Sequence, residues 1–171
     1  MRAAAVEKRQ DRRVRPQPAA DHRVAGPEIV PVCQELGIGQ IVWSPLAQGV
    51  LTGKYKPGQQ PPSGSRATDT NGGSDAVAGW MRDEVLARVQ ELVRLAAEAG
   101  MSLATLSLAW VLRNTNVSAA IVGASRPEQI VENAKAADIT LDDELVRRVD
   151  EILDPVAERD PERIDVFAER P

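Results

Sequence analysis

The chain has 171 residues, is 43% hydrophobic and carries a formal net charge of −4. That allows one domain with a core of its own and gives no global electrostatic attraction toward nucleic acid or an acidic membrane surface. A single cysteine, Cys33, excludes an intramolecular disulfide and a multi-cysteine zinc site, and a single histidine, His22, excludes a histidine-based metal cluster.

Residues 1–26 read as irregular, rich in Arg, Ala, Gln and Pro, with Val6, Val14 and Val24 isolated. Basic side chains concentrate at the start (Arg2, Lys8, Arg9, Arg12, Arg13, Arg15 and Arg23, against Glu7, Asp11 and Asp21). No aromatic residue is present there to stack on a base, and no apolar period orders a helix, so specific nucleic-acid binding is not expected. The same stretch lacks an apolar signal-peptide core, and no segment approaches the length of a bilayer span. A cytoplasmic protein is the expectation.

From Pro27 a short helix is predicted, with Ile29, Val32, Cys33 and Leu36 as its stripe and Gly37 as its stop. Pro31 removes one backbone donor and keeps this helix short or bent. A strand follows at 40–44, where Ile41-Val42-Trp43 ends abruptly in Ser44-Pro45. Such a run reads as a buried parallel strand whose carboxyl end opens into a ligand-binding loop.

Residues 56–76 contain Pro57-Gly58, Pro61-Pro62-Ser63-Gly64-Ser65 and Asn71-Gly72-Gly73-Ser74, a composition that predicts neither helix nor central strand. A loop of this length is expected to be a functional lid or an unstructured segment. Beyond it, Val85, Val89, Leu92, Val93 and Ala96 form one helical face ended by Gly100. Ser102 N-caps a second helix through Leu103, Leu106, Ala109, Trp110 and Leu112, terminated by Asn114-Thr115-Asn116.

A second strand is predicted at Ser118–Gly123. Ser125-Arg126-Pro127-Glu128 then has the spacing of a capping box with proline in the first turn. Thr140-Leu141-Asp142-Asp143 opens a last helix with Leu145, Val149, Ile152 and Leu153 on one side, and residues 154–171 read as a charged surface tail. Strands alternating with helices predict an α/β fold with a parallel sheet and crossovers. About two parallel strands and several helices are expected, and two strands cannot bury both faces and both edges of such a sheet, so part of it is missing.

The two strand ends are where chemistry is expected. At the second, Gly123 and Ala124 let a ligand approach the backbone, and Ser125 opens a helix whose free N–H groups favour an anion such as phosphate. Gln129, Glu132 and Asn133 then share a helix face. A plain capping box with solvated polar residues fits the same spacing. At the first, Ser44 and the backbone of Leu46 through Gly49 can border a phosphate chain, Trp43 offers a flat face for a ring, and Lys54 and Arg66 carry permanent positive charge. Singly, Trp43 reads as a core aromatic and Lys54 and Arg66 as loop charges; their conjunction with the Ser125 turn favours a phosphate site at the end of a barrel.

Trp43-Ser44-Pro45-Leu46-Ala47-x-Gly49-x-Leu51-x-Gly53-Lys54-Tyr55, Ser65-Arg66-Ala67, Leu108-Ala109-Trp110-Val111-Leu112-Arg113 and Gly123-Ala124-Ser125-x-x-Glu128-Gln129-x-x-Glu132-Asn133 stand in one order along the chain. Together they make the block from about Pro27 to Leu153 resemble the C-terminal half of aldo-keto reductases, in particular the branch that includes voltage-gated potassium channel β-subunits. The resemblance implies an eight-stranded (β/α) TIM barrel, of which this is the C-terminal portion, and NADPH as an extended cofactor. It implies that Trp43, Ser44, Leu46, Gly49 and Lys54 line the nicotinamide-to-pyrophosphate path, with Pro45, Ala47 and Gly123 also binding cofactor. Arg66, Ser125 and Gln129 would hold the 2′-phosphate side, with Glu132 and Asn133 at the adenine.

The family's proton-donating tyrosine, and the lysine, aspartate and histidine that assist it, come from the first half of the barrel. The resemblance therefore implies no catalytic residue in this chain: Tyr55 falls in the cofactor loop, and after Gln17-Pro18 the chain has Ala20 and Asp21 where the family has Tyr and Asn. Residues 1–26 do not look like a barrel segment, and a frameshifted or misplaced start on a truncated gene is the expectation drawn from that.

Three readings follow. One is the cofactor-binding half of an NADP-dependent oxidoreductase acting on a small carbonyl substrate. Another is a non-catalytic nucleotide-binding or regulatory protein resembling channel β-subunits, and the third is a degenerate gene product. Uncovered barrel strands also predict self-association.

Overall fold

The computed structural model describes residues 29–157. The irregular segment expected at 1–26 and the tail from 158 onward lie outside the described residues. Within them a two-stranded parallel sheet is formed by β1 (Gln40–Trp43) and β2 (Val117–Ile121). The pairs are Gln40 with Val117, Ile41 with Ala119, Val42 with Ala120 and Trp43 with Ile121, with an irregularity between Gln40 and Ile41.

The period of two along a strand sorts the side chains. Val42 is fully buried against the helices, whereas Ile41 and Trp43, on the other face, are 57% and 37% exposed. Asn116 fixes the amino-terminal end of the pair. Its Nδ2 donates to the Ile38 carbonyl at 2.9 Å, its Oδ1 accepts from Gln40 Nε2, and its own carbonyl accepts from Gln40 N at 2.8 Å.

Helix α1 (Ile29–Glu35) precedes β1 and ends at Gly37, whose φ of 66° only glycine adopts freely. Of its apolar stripe, Val32 and Leu36 are half or more exposed and Cys33 is partly buried. The crossover from β1 to β2 runs through a 3-10 turn (Ala47–Thr52), a second one (Arg66–Thr68), and helices α2 (Gly73–Ala78), α3 (Asp83–Glu98) and α4 (Leu103–Leu112).

Helix α2 corrects the expectation of a helix-free segment at 56–76. Gly72, at φ 96°, makes the turn into the helix, Asp75 sits in its first turn, and Val77 plugs into the core at 1% exposure. Burial of one well-placed apolar side chain outweighs the poor local propensity of the glycines.

Helix α3 buries Val85, Leu86, Val89, Leu92, Leu95 and Ala96 along one face. Helix α4 is capped by Ser102, whose Oγ accepts from Thr105 N at 3.1 Å, and is buried on almost every side. One side joins the main core of α3, the first 3-10 turn, Val42 and Val117, and the other packs Leu108 and Ala109 on Ala136. Among the described residues no single helix is long and apolar enough to cross a membrane.

After β2 come α5 (Pro127–Ala134), a 3-10 turn (Lys135–Asp138) and α6 (Asp143–Leu153). Asp142 caps α6, accepting from Leu145 N at 2.7 Å, and Val149 is buried on its inner face. The chain continues into a last 3-10 turn (Asp154–Val156), and Val156 still packs against the core, so the expected tail is anchored at its start. The Trp110 indole donates to Asp150 at 3.1 Å and joins α4 to α6.

Candidate functional site

The parallel register brings both strand ends to one edge of the molecule. Trp43 pairs with Ile121, so the turn beginning at Ser44 and the segment Val122-Gly123-Ala124-Ser125 leave the sheet side by side.

The first turn is held in an uncommon backbone conformation. Ser44, Ala47, Gln48 and Gly49 have φ of 52°, 45°, 58° and 95°, a left-handed region that side-chain-bearing residues seldom occupy and that costs free energy unless the surroundings fix it. Three things fix it. Pro45, Ala47 and Val50 are buried, Leu46 packs between the two core clusters, and Ala47 N and Gly49 N donate to the carbonyls of Ser44 and Leu46, each at 2.9 Å. Pro45, Leu46 and Ala47 therefore spend their side chains on the core.

Ser44 and Arg66 meet through a residue that sequence reasoning passed over. Gln48 Nε2 donates to Ser44 Oγ at 2.8 Å, and Gln48 Oε1 accepts from Arg66 Nη1. Lys54 stands against the same turn: a Cβ built on Gly49 would lie 3.0 Å from the Lys54 ammonium, which also sits 5.2 Å above the Tyr55 ring. Tyr55 itself is buried, its hydroxyl accepting from Ala67 N at 3.3 Å and its carbonyl accepting from Gln90 Nε2 at 2.9 Å. These contacts bind the segment carrying Arg66 to the turn carrying Lys54.

At the second strand end the helix start is shifted by one residue from the capping box expected at Ser125. Arg126 is the N-cap, and Gln129 supplies the returning side chain. Gln129 Oε1 accepts from Ser125 N at 2.8 Å, Arg126 N at 3.2 Å and Ser125 Oγ at 3.2 Å. A Cβ on Gly123 would meet nothing within 4 Å, which leaves open space beside that backbone.

Glu132 faces α4. It accepts from Thr105 Oγ1 at 2.9 Å and from Lys135 Nζ at 2.6 Å. These bonds hold its carboxyl below the usual glutamate range, the Lys135 contribution first, then Thr105 and Ser102. Asn133, the next residue, is half-buried. An apolar cavity of about 30 Å³ between α3, α4 and α6, lined by Leu92, Leu106, Val149 and their neighbours, includes none of these residues.

Three of the residues at or beside this edge are not among the site residues expected from sequence: Gln48, Ser65 and Thr105. The i,i+4 spacing of Ser44 and Gln48 was a readable signal; the contact to Arg66, across 18 positions, was not. Ser65, next to Arg66, has a buried hydroxyl without a hydrogen-bond partner.

Two parallel strands with a helical crossover packed over one face form a sector of a (β/α) barrel. The structure matches the glycerol dehydrogenase AKR11B4 from Gluconobacter oxydans with a TM-score of 0.60 and 24% identity, over 80% of this chain and 40% of that one. The sequence model of the Aldo/keto reductase family matches residues 14–154, and the chain belongs to that family. It is similar to a putative voltage-gated potassium channel subunit beta of Schizosaccharomyces pombe, 41% identical over 132 residues, which is 74% of this chain and 37% of that protein. A probable voltage-gated potassium channel subunit beta of Arabidopsis thaliana is 46% identical over 120 residues, 70% of this chain and 36% of that protein. The chain thus spans little more than a third of the length of these relatives.

Proposed function

We propose that the chain is a dinucleotide-binding part of an NADP-dependent oxidoreductase of the aldo/keto reductase type. The observation that carries this is the Trp43–Ile121 pairing, which sets two Gly- and Ser-containing turns next to each other at one sheet end. In this reading Trp43 stacks on the nicotinamide, and Ser44 with the backbone of Pro45, Leu46, Ala47 and Gly49 follows the path to the pyrophosphate. Lys54 neutralises phosphate charge, Arg66, Ser125 and Gln129 serve the 2′-phosphate, and Glu132 and Asn133 border the adenine.

The donors present suit such a ligand. The Ser65 hydroxyl is buried and unpartnered beside Arg66, a side chain on Gly49 would crowd the Lys54 ammonium, and the backbone of Gly123 is open. Guanidinium and ammonium groups are what phosphate recognition calls for. When bound, the cofactor supplies the hydride and the protein supplies orientation. A carbonyl reduction also needs a proton donor, worth ~100- to 10,000-fold in rate, and no residue of this chain is assigned to that task.

The test is a fluorescence titration of the purified chain with NADPH, followed by addition of a small aldehyde. Saturable binding with no consumption of NADPH at an ordinary enzymatic rate is the expected result. Absence of binding refutes the proposal, and rapid turnover refutes the assignment of no catalytic residue.

A second reading, a non-catalytic nucleotide-binding or regulatory partner, is supported by the similarity to proteins named as potassium channel β-subunits. Exposed Ile41, Trp43, Ile121, Ile130 and Val131 support self-association. Size-exclusion chromatography checks this, a compact monomer counting against it. The unit taken to fold together is 27–153, and the protein is taken to be cytoplasmic.

A further inference from the structure

We propose that Gln48 is a positioning residue that makes the strand-end site selective for the dinucleotide bearing the extra phosphate. This rests on the dinucleotide reading above and extends it to a residue that reading does not use. Arginine can only donate hydrogen bonds, so the Gln48 oxygen must be the atom that faces Arg66 Nη1, and the amide nitrogen is the one left to face Ser44. Ser44 Oγ then accepts from Gln48 Nε2, at 2.8 Å, and keeps its own proton for a ligand oxygen.

One neutral amide thereby does two things: it holds the Arg66 guanidinium without cancelling its charge, and it turns Ser44 into a donor. The backbone supports the assignment. Gln48 sits at φ 58° and ψ 24°, between Ala47 and Gly49 with φ of 45° and 95°, and this left-handed run points the amide at both partners. Residues 44 and 66 are 22 positions apart, and Gln48 is the described side chain that bonds to both.

Glutamate is nearly the same shape but has no N–H. In Gln48→Glu the carboxylate would accept from Arg66 and from the Ser44 hydroxyl together, forming an ion pair that neutralises the guanidinium and turns the serine proton away from the ligand. A merely structural bridge would be as good or better with this change, whereas the site would lose anion selectivity. That difference separates the two roles.

The experiment is calorimetric titration of the 171-residue chain with NADPH and with NADH, for wild type, Gln48→Glu, Arg66→Gln and the double variant. Gln48→Glu is expected to weaken both dinucleotides through Ser44 but NADPH about tenfold more than NADH, as loss of a charge-assisted phosphate contact at Arg66 should. In the Arg66→Gln background the same change should have no further effect on the ratio, because Gln48 acts through Arg66. An unchanged NADPH/NADH ratio in Gln48→Glu, or an equal loss for both dinucleotides, overturns the proposal.

Should Gln48→Glu not fold, Gln48→Met, neutral and of similar length, must lose selectivity several-fold, and full retention overturns the proposal equally. Wild type that binds neither dinucleotide refutes the function proposed above, and this inference with it. Wild type that binds both while the variants match it refutes this inference alone.

Discussion

Thr105 of α4 donates to the carboxylate of Glu132 on α5 at 2.9 Å, tying the helix after β2 to the one before it. Ser102 Oγ, 2.8 Å from Thr105 Oγ1 and accepting from Thr105 N, extends the link to the cap of α4. Glu132, assigned to the adenine end of the proposed site, is thus held in place by the fold before any ligand arrives.

Glu132 should make the protein acid-sensitive. Its carboxyl lies below its ordinary value of 4.5, through Lys135 first and then Thr105 and Ser102, so the native state takes up a proton less readily than the unfolded chain. The stability this gives is complete above the ordinary value and is lost as pH falls through that value and the lower folded one. Melting curves of wild type should therefore fall more steeply than those of Glu132→Gln below pH 4.5. Parallel curves would contradict the assignment.

Asn116→Ala should destabilise the sheet. The side chain is buried at 8% exposure and bonds to both the Ile38 carbonyl and Gln40 Nε2, so truncation removes two hydrogen bonds that join the ends of the strands. Each such loss costs about 0.5–1.5 kcal/mol. Urea denaturation checks it, and a midpoint equal to wild type would show that the clamp contributes nothing.

Gln129→Ala should cost about 0.5–2 kcal/mol, as removal of a helix cap does, since Gln129 Oε1 accepts from Ser125 N, Arg126 N and Ser125 Oγ. Ser125→Ala should cost less, because both backbone donors keep their acceptor. Thermal denaturation of the two variants decides it, the reverse order being the contrary result.

Lys54→Gln should weaken NADPH binding by about tenfold, the scale of one charge-assisted hydrogen bond to phosphate. The Lys54 ammonium lies beside Gly49 and is exposed, so removing its charge should leave the melting temperature within a few degrees. Fluorescence titration of the variant measures the first quantity and a thermal melt the second. Unchanged affinity would remove Lys54 from the site.

Local signals were legible in the sequence and long-range ones were not. Ser102 caps α4 as its position predicts, because a cap bonds within three residues of itself, and the stretch read as opening α6 does so, with Asp142 as its cap. Gly100, at φ 72°, likewise marks the end of α3. The start of α5 misled by one residue, since Ser125-x-x-Glu128 and Arg126-x-x-Gln129 overlap and only tertiary placement selects the second. Helix α2 was hidden by its glycines and is fixed by Val77 in the core. The Arg66–Gln48 contact depends on a turn of positive φ whose cause, burial of Pro45, Ala47 and Val50, is spread over the whole fold.

Indole and amide chemical shifts of isotopically labelled protein, followed while NADPH is added, test the central claim most directly. If the joined strand ends grip the dinucleotide, the Trp43 indole and the amides of Ser44, Gly123 and Ser125 will move together and saturate, while the buried Trp110 indole, bonded to Asp150, stays in place. Saturating shifts confined to other parts of the chain, or none at any concentration, would contradict it.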